Sequence, residues 1–200
     1  MAIIWYREPM FDDFLYNYYR AIKLDRSLYR DSKIFENISF FFAGLIIVIN
    51  GLAGLIAQKT YIETLRTVYN LNNFSASSLF GTVFSSIIGW VIWSTLIYII
   101  GAKLFSEAKI STSFKNVLII VGYGHAPGVF RFFAIMPDLL IPLILITEIW
   151  IFLSISIGVQ EILRYKSYFK SLGVVITAFL IIFLGFVYLA GGISGLAPVN

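Results

Sequence analysis

Cysteine is absent from this 200-residue chain, which excludes disulfides, thiolate metal sites and cysteine nucleophiles. Histidine occurs once, as His125, so no His-Glu-x-x-His zinc site can be assembled. Charge is scarce too: Asp, Glu, Lys and Arg make up 13% of the chain, where a soluble domain carries about 25%. What fills the space is apolar. Hydrophobic residues reach 59% against about 45–50% in soluble domains, which is the composition of a membrane protein. Residues 1–37 hold charge and tyrosine but no apolar run of signal-peptide length, so the N-terminus is expected to remain in the final protein. The formal net charge of +4 does not point to nucleic acid, because the basic residues flank apolar runs and no nucleic-acid motif accompanies them.

Five apolar runs approach the ~20 residues that a spanning helix requires. They lie at about 38–57, 80–102, 116–136, 139–159 and 172–193. The expected fold is therefore an all-α polytopic bundle of five transmembrane helices, 38–200, preceded by an N-terminal amphipathic interfacial segment, 1–37. Lysine and arginine distribute unevenly around these runs. The lead-in has six, the second connection three (Lys103, Lys109, Lys115) and the fourth three (Arg164, Lys166, Lys170). The first connection has two, Lys59 and Arg66, while the third connection and the C-terminal tail have none. Under the positive-inside rule this predicts a multi-pass protein with its N-terminus cytoplasmic and its C-terminus outside.

In the lead-in, Arg20, Lys23, Arg26, Arg30 and Lys33 recur every three or four residues, the spacing of one helix side. Ala21, Leu24, Leu28 and Phe35 fall on the other side. This pattern suits a helix lying in the membrane interface with its cations toward anionic lipid, or one docking on the protein's own loops. Trp5, Tyr6, Phe11, Phe14, Tyr16, Tyr18 and Tyr19 make an aromatic strip, readable as an interfacial belt or a partner-binding surface. Beyond the first run, Tyr61, Ile62, Leu65, Val68 and Tyr69 follow helical spacing, which predicts a short interfacial helix there. Asn73-Phe74-Ser75 is an N-glycosylation acceptor pattern on the predicted outer side. Gly81, Ser85 and Gly89 repeat by four along one side of the second run, as residues that let membrane helices approach closely do.

Three ionisable residues sit inside the third and fourth runs: His125, Arg131 and Glu148. Such groups are costly at membrane depth and are expected to pair or to function. Counted from the turn at Met136-Pro137-Asp138, Glu148 lies about as deep as Pro127, with His125 somewhat deeper and Arg131 shallower. At ~1.5 Å rise per residue, both are within roughly 3–6 Å of Glu148 along the axis. Either can reach it, and azimuth decides which does. A structural Arg131–Glu148 pair, a His125–Glu148 hydrogen bond and a proton relay are the readings this allows. Pro127, in Gly122-Tyr-Gly-His-Ala-Pro-Gly128, is expected to kink or open the third span.

From here the residues resemble the Yip1 domain family. The resemblance rests on the run GAKLFSEAKISTSFKNVLIIVGY ending at Gly122 and Tyr123, on Pro127 and Trp150, on Gly158-Val159-Gln160-Glu161, and on Ser167-Tyr-Phe-Lys-Ser before the last span. It extends from about Asp25 onward. It implies five spans with a cytoplasmic N-terminus and a membrane-organising or trafficking-type adaptor. The long acidic N-terminal region with an Asp-Leu-Tyr-Gly-Pro-like motif that marks eukaryotic members is absent, so the chain is similar to the short, prokaryote-like members. Binding to small GTPases is accordingly not implied.

The function expected is non-enzymatic, because no nucleophile–base pair, paired aspartates or metal ligand set is visible. No cofactor or metal is expected. The expected partners are the lipid bilayer and membrane or cytoplasmic proteins, a homo-oligomer being a further arrangement, and nucleic acid is not among them. The alternative is a small transporter or channel whose path is lined by His125, Arg131 and Glu148.

Overall fold

The computed structural model describes residues 9–70, 78–105 and 112–194, and these are helical, with no strand among the described residues. Two short helices lead in, α1 (Pro9–Ile22) and α2 (Arg26–Arg30), followed by a 3-10 turn at Ser32–Phe35. Five helices long and apolar enough to cross a membrane follow. They are α3 (Asn37–Tyr69), α4 (Leu79–Ile97) continued by a π-helical stretch Tyr98–Leu104, α5 (Phe114–Gly124) continued by a 3-10 stretch Ala126–Ile135, α6 (Pro137–Ile162) and α7 (Tyr168–Ser194). Asn73, Trp5 and Tyr6 lie outside the described residues.

Local chemistry sets the boundaries. Ser78 and Ser113 cap α4 and α5 by accepting the N–H of Gly81 and of Asn116. The predicted short helix after the first run is instead the end of the first span, because α3 continues unbroken to Tyr69. Its 33 residues make about 50 Å at 1.5 Å rise, well beyond the ~30 Å hydrocarbon layer. Thr60, Thr64 and Thr67 donate back to carbonyls four residues earlier along this extension. The helix stops at Asn70, whose left-handed backbone (φ 54°) returns its N–H to Leu65 O.

Span three is the central one. Val117, Ile119, Ile120, Val121, Tyr123 and Ala126 are fully buried, packed by α3, α4 and α6. The predicted disturbance at Pro127 is a change of helix type: α5 ends at Gly124, and the bonds His125 N–H to Gly122 O and Gly128 N–H to His125 O tighten the chain into 3-10 form. Pro127 contributes by having no N–H to continue the α ladder. The 3-10 rise of about 2.0 Å stretches this 22-residue arm to roughly 36 Å. That matches the ~39 Å of the 26-residue α6, so both arms of the hairpin are long enough to cross the ~30 Å hydrocarbon layer despite unequal residue counts.

The lead-in is built into this bundle. Phe14, Ala21, Leu28, Tyr29 and Ile34 belong to the same hydrophobic core as α3, α5 and α6. The Tyr18 hydroxyl donates to Ala126 O, Trp150 Nε1 donates to Ile22 O at 2.9 Å, and Tyr29 shares a hydrogen bond with Ser154. Trp150 lies twelve residues from the end of α6, about 18 Å along it. The lead-in therefore runs up the flank of the bundle. The single amphipathic helix expected over Arg20–Lys33 is broken where Leu24 takes a left-handed backbone (φ 58°), so Arg20 lies on α1, Lys23 in the turn after it, Arg26 and Arg30 on α2, and Lys33 in the 3-10 turn.

Candidate functional site

The small-residue pattern divides by what it touches. Gly122 faces Ala43, whose Cβ would lie 2.6 Å from a Cβ at that position. Gly158 faces Ile120 and the Tyr29 ring, 3.2 Å from where its own Cβ would be. Both are close approaches that a larger residue would break. The spaced-by-four set of α4 does not pack: Ser85 and Gly89 are exposed, and nothing lies within 4 Å of a Cβ added at Gly89. Gly89 borders an open cleft shared with Asn50 and Ser86, while Phe84, Ile88 and Val91 form the apolar side of α4 that faces away from the bundle.

Of the three membrane-depth ionisable residues, the structure pairs two. Arg131 Nη2 donates to Glu148 Oε1 at 2.6 Å, and Arg131 Nε donates to Thr147 Oγ1 at 3.0 Å. Thr147 Oγ1 in turn donates to Leu143 O at 2.7 Å. His125 takes another partner, its Nδ1–H donating to Val121 O at 2.7 Å, with its ring edge-on to Trp93. All three nonetheless border one cleft of about 250 Å³, together with Asn50, Ser86 and Trp93. The 3-10 geometry explains this, because residues three apart eclipse in such a helix. That puts His125, Gly128 and Arg131 in one row, with Asn50 against Gly128. The Arg131–Glu148 pair also borders a second cleft of about 220 Å³, with Gly54, Ala57, Gln58 and Tyr61, and so stands between the two.

Asn50 is the residue that pattern reading passed over. Its side-chain oxygen is buried and has no hydrogen-bond partner among the described residues. A lone amide within the 38–57 apolar run was the signal available for it.

The other constellation lies at the basic end of the bundle, where α6 finishes. Arg30 clamps Glu161 through two bonds, Nε to Oε2 at 2.7 Å and Nη2 to Oε1 at 3.1 Å, and the paired carboxylate raises the Arg30 pKa further. One turn earlier, Gly158 receives the Tyr29 ring. Burial pushes the Tyr29 pKa up to about 12, so its hydroxyl stays protonated. Gly158 and Glu161 are thus the seat on which α2 docks. On the same side, Lys115 Nζ donates to Phe35 O at 3.3 Å and Asn37 Oδ1 at 2.6 Å, tying α5 to the start of α3. Arg20 gathers the corner between α1 and α2, donating to Asp25 at 2.9 Å, Ser27 at 2.8 Å and Asn17 at 3.3 Å. Arg26 and Lys33 point outward, and Lys23 lies over the Tyr19 ring. No group of three or more His, Asp or Glu able to hold a metal occurs among the described residues.

The sequence model of the Yip1 domain matches residues 26–190. Neither the curated proteins nor the solved structures contain a match to this chain. The matched stretch covers most of the chain and encloses all five spans together with the α2 seat at Gly158 and Glu161: the chain belongs to the Yip1 domain family.

Proposed function

We propose that this Yip1-domain protein is a non-enzymatic membrane organiser, acting on membrane shape and through protein partners that meet its basic, cytoplasmic end. The observation that carries this reading is the two-sided lead-in. Phe14 and Ala21 of α1 are buried against the bundle while Phe11, Leu15, Tyr16 and Tyr19 face outward. An apolar, aromatic face held rigidly beside the spanning helices is suited to occupy one lipid leaflet or to receive a partner helix. Arg20 has its charge answered by Asp25 and, at 3.9 Å, by Asp31, which lowers the cost of holding α1 there.

Crosslinking in native membranes from a photoreactive side chain at Tyr16, read by mass spectrometry, tests this. One reproducible protein partner, lost when Arg26 and Lys33 are neutralised, is expected. Absence of any reproducible partner, together with no change in vesicle shape on reconstitution, would sink the reading. Reporters fused at Ser106 and Asn200 are expected to report opposite sides, Ser106 cytoplasmic.

The second reading is a small transporter or channel, favoured by the Arg131–Glu148 pair standing between two clefts. Flux of protons or ions into proteoliposomes that is lost on Glu148→Gln would support it, and flux equal to that of empty liposomes would remove it.

A further inference from the structure

A cleft of about 460 Å³ opens at the basic end, between the end of α6, α2 and the start of α5, bordered by Arg30, Arg164, Thr112, Asn116, Glu161 and the Tyr29 ring. Its donors are arranged but unspent. Glu161 takes Nε and Nη2 of Arg30, which fixes the plane of the guanidinium and leaves Nη1 without a partner among the described residues. The Arg164 guanidinium and the Asn116 side-chain amide also have none there. Arg164 is exposed and sits in the left-handed region (φ 48°), a backbone conformation disfavoured for a residue with a side chain, just past the end of α6. Ser113 caps α5 beside the cleft, so the positive end of that helix lies close by. The lining thus holds two guanidinium groups against one carboxylate, and that carboxylate is already satisfied.

We infer that this cleft binds a phosphate group, held between Arg30 Nη1, the Arg164 guanidinium and the Asn116 amide. Two guanidinium groups bordering one cleft provide the forked donors that phosphate oxygens match. The cleft stands where a spanning helix ends, so the headgroup phosphate of an anionic lipid and a free phosphate are the two sources of that chemistry. Glu161 has a positioning role: it aims Arg30 and does not touch the phosphate. The inference rests on the geometry of the basic end and does not depend on the membrane-organising reading.

The test uses the full chain in phosphatidylcholine nanodiscs doped with phosphatidic acid, counting retained lipid by native mass spectrometry. In parallel, the detergent-solubilised protein is titrated with inorganic phosphate and its thermal midpoint followed. Lipid supply is indicated if wild type retains phosphatidic acid over phosphatidylcholine and Arg164→Gln or Asn116→Leu weakens retention about tenfold, the loss of one charge-assisted bond. A midpoint rise with inorganic phosphate that Arg164→Gln abolishes indicates the free anion as source. Arg26→Gln, an exposed cation outside the cleft, is expected to leave both readouts unchanged. The inference is overturned if neither readout responds to Arg164→Gln, or if Arg26→Gln reduces retention as much as Arg164→Gln does, which would make the effect one of net charge. Arg164 and Asn116 make no side-chain bond within the protein among the described residues, so their variants are expected to fold, and an unchanged midpoint without ligand checks this.

Discussion

Helix α6 holds two arginine–glutamate pairs thirteen residues apart, and they are built the opposite way round. At the basic end the carboxylate is the enclosed member, Glu161 being 12% exposed and Arg30 67%. At membrane depth the guanidinium is enclosed, Arg131 being 13% exposed and Glu148 46%. The first pair joins the lead-in to the bundle, whereas the second joins the two arms of the central hairpin. Which member is enclosed determines what breaking each pair leaves behind. An orphaned glutamate can take up a proton and lose its charge, whereas an orphaned arginine stays charged. The membrane-depth pair is therefore asymmetric in its tolerance of change.

The largest expected effect tests that asymmetry. Glu148→Leu leaves Arg131 charged and enclosed and is expected to cost about 3 kcal/mol or more. Arg131→Leu is expected to cost less than about half as much. Both are read from thermal or denaturant midpoints in the same lipid. Equal costs, or the reverse order, would show that Arg131 finds other acceptors in the clefts beside it.

At the basic end the docking seat is steric as much as ionic. Gly158→Val puts a branched side chain into Ile120 and the Tyr29 ring and is expected to cost about 2 kcal/mol, with faster proteolysis at Arg26 and Arg30 as α2 lifts. Ile88→Val, on the exposed outward side of α4, is expected to stay within about 0.5 kcal/mol. A Gly158→Val protein with an unmoved midpoint and a protected lead-in would remove the seat from the account.

The smallest effect concerns the corner that brings α2 to its seat. The Ser27 hydroxyl, the Arg20 guanidinium and the Ser27 N–H all bond the Asp25 carboxylate and hold its pKa below the usual carboxylate value. A lowered folded pKa means stability that is full above the unfolded value of about 3.9 and is lost as pH falls through the folded one. Amide protection factors across residues 20–31, taken relative to the intrinsic exchange rate at each pH, are expected to fall as the pH is lowered below the unfolded value. Asp25→Asn, which can still cap α2, is expected to cost under about 1 kcal/mol and to flatten the response. An acid response of the same size in Asp25→Asn would assign it to another carboxylate.

The five spans were legible because a run of apolar residues near bilayer length has few alternatives. The far end of α3 was not, because Lys59, Glu63 and Arg66 end the apolar pattern without ending the helix: once in water, a helix ends where its caps do, here at Asn70. The partners of Arg131 and Glu148 were within reach of depth arithmetic, and the missing quantity was azimuth. An α-helical count from Val121 to Arg131 separates His125 from Arg131 by 240°, whereas the 3-10 turn after Gly124 lines them up. Gly158 and Glu161 could be singled out as motif residues, but their role could not be read, since it depends on the lead-in folding back along α6. Nothing in the spacing of Arg20 to Lys33 announces the break at Leu24.

That folding back is the central claim, and the cysteine-free chain allows a direct measurement. A bimane fluorophore attached to Lys23→Cys in the bilayer-reconstituted protein sits beside Ile22, whose carbonyl accepts from Trp150 Nε1. Its emission should be quenched by the indole and should recover on Trp150→Phe. Equal emission with and without Trp150 would place the lead-in away from α6 and contradict the account.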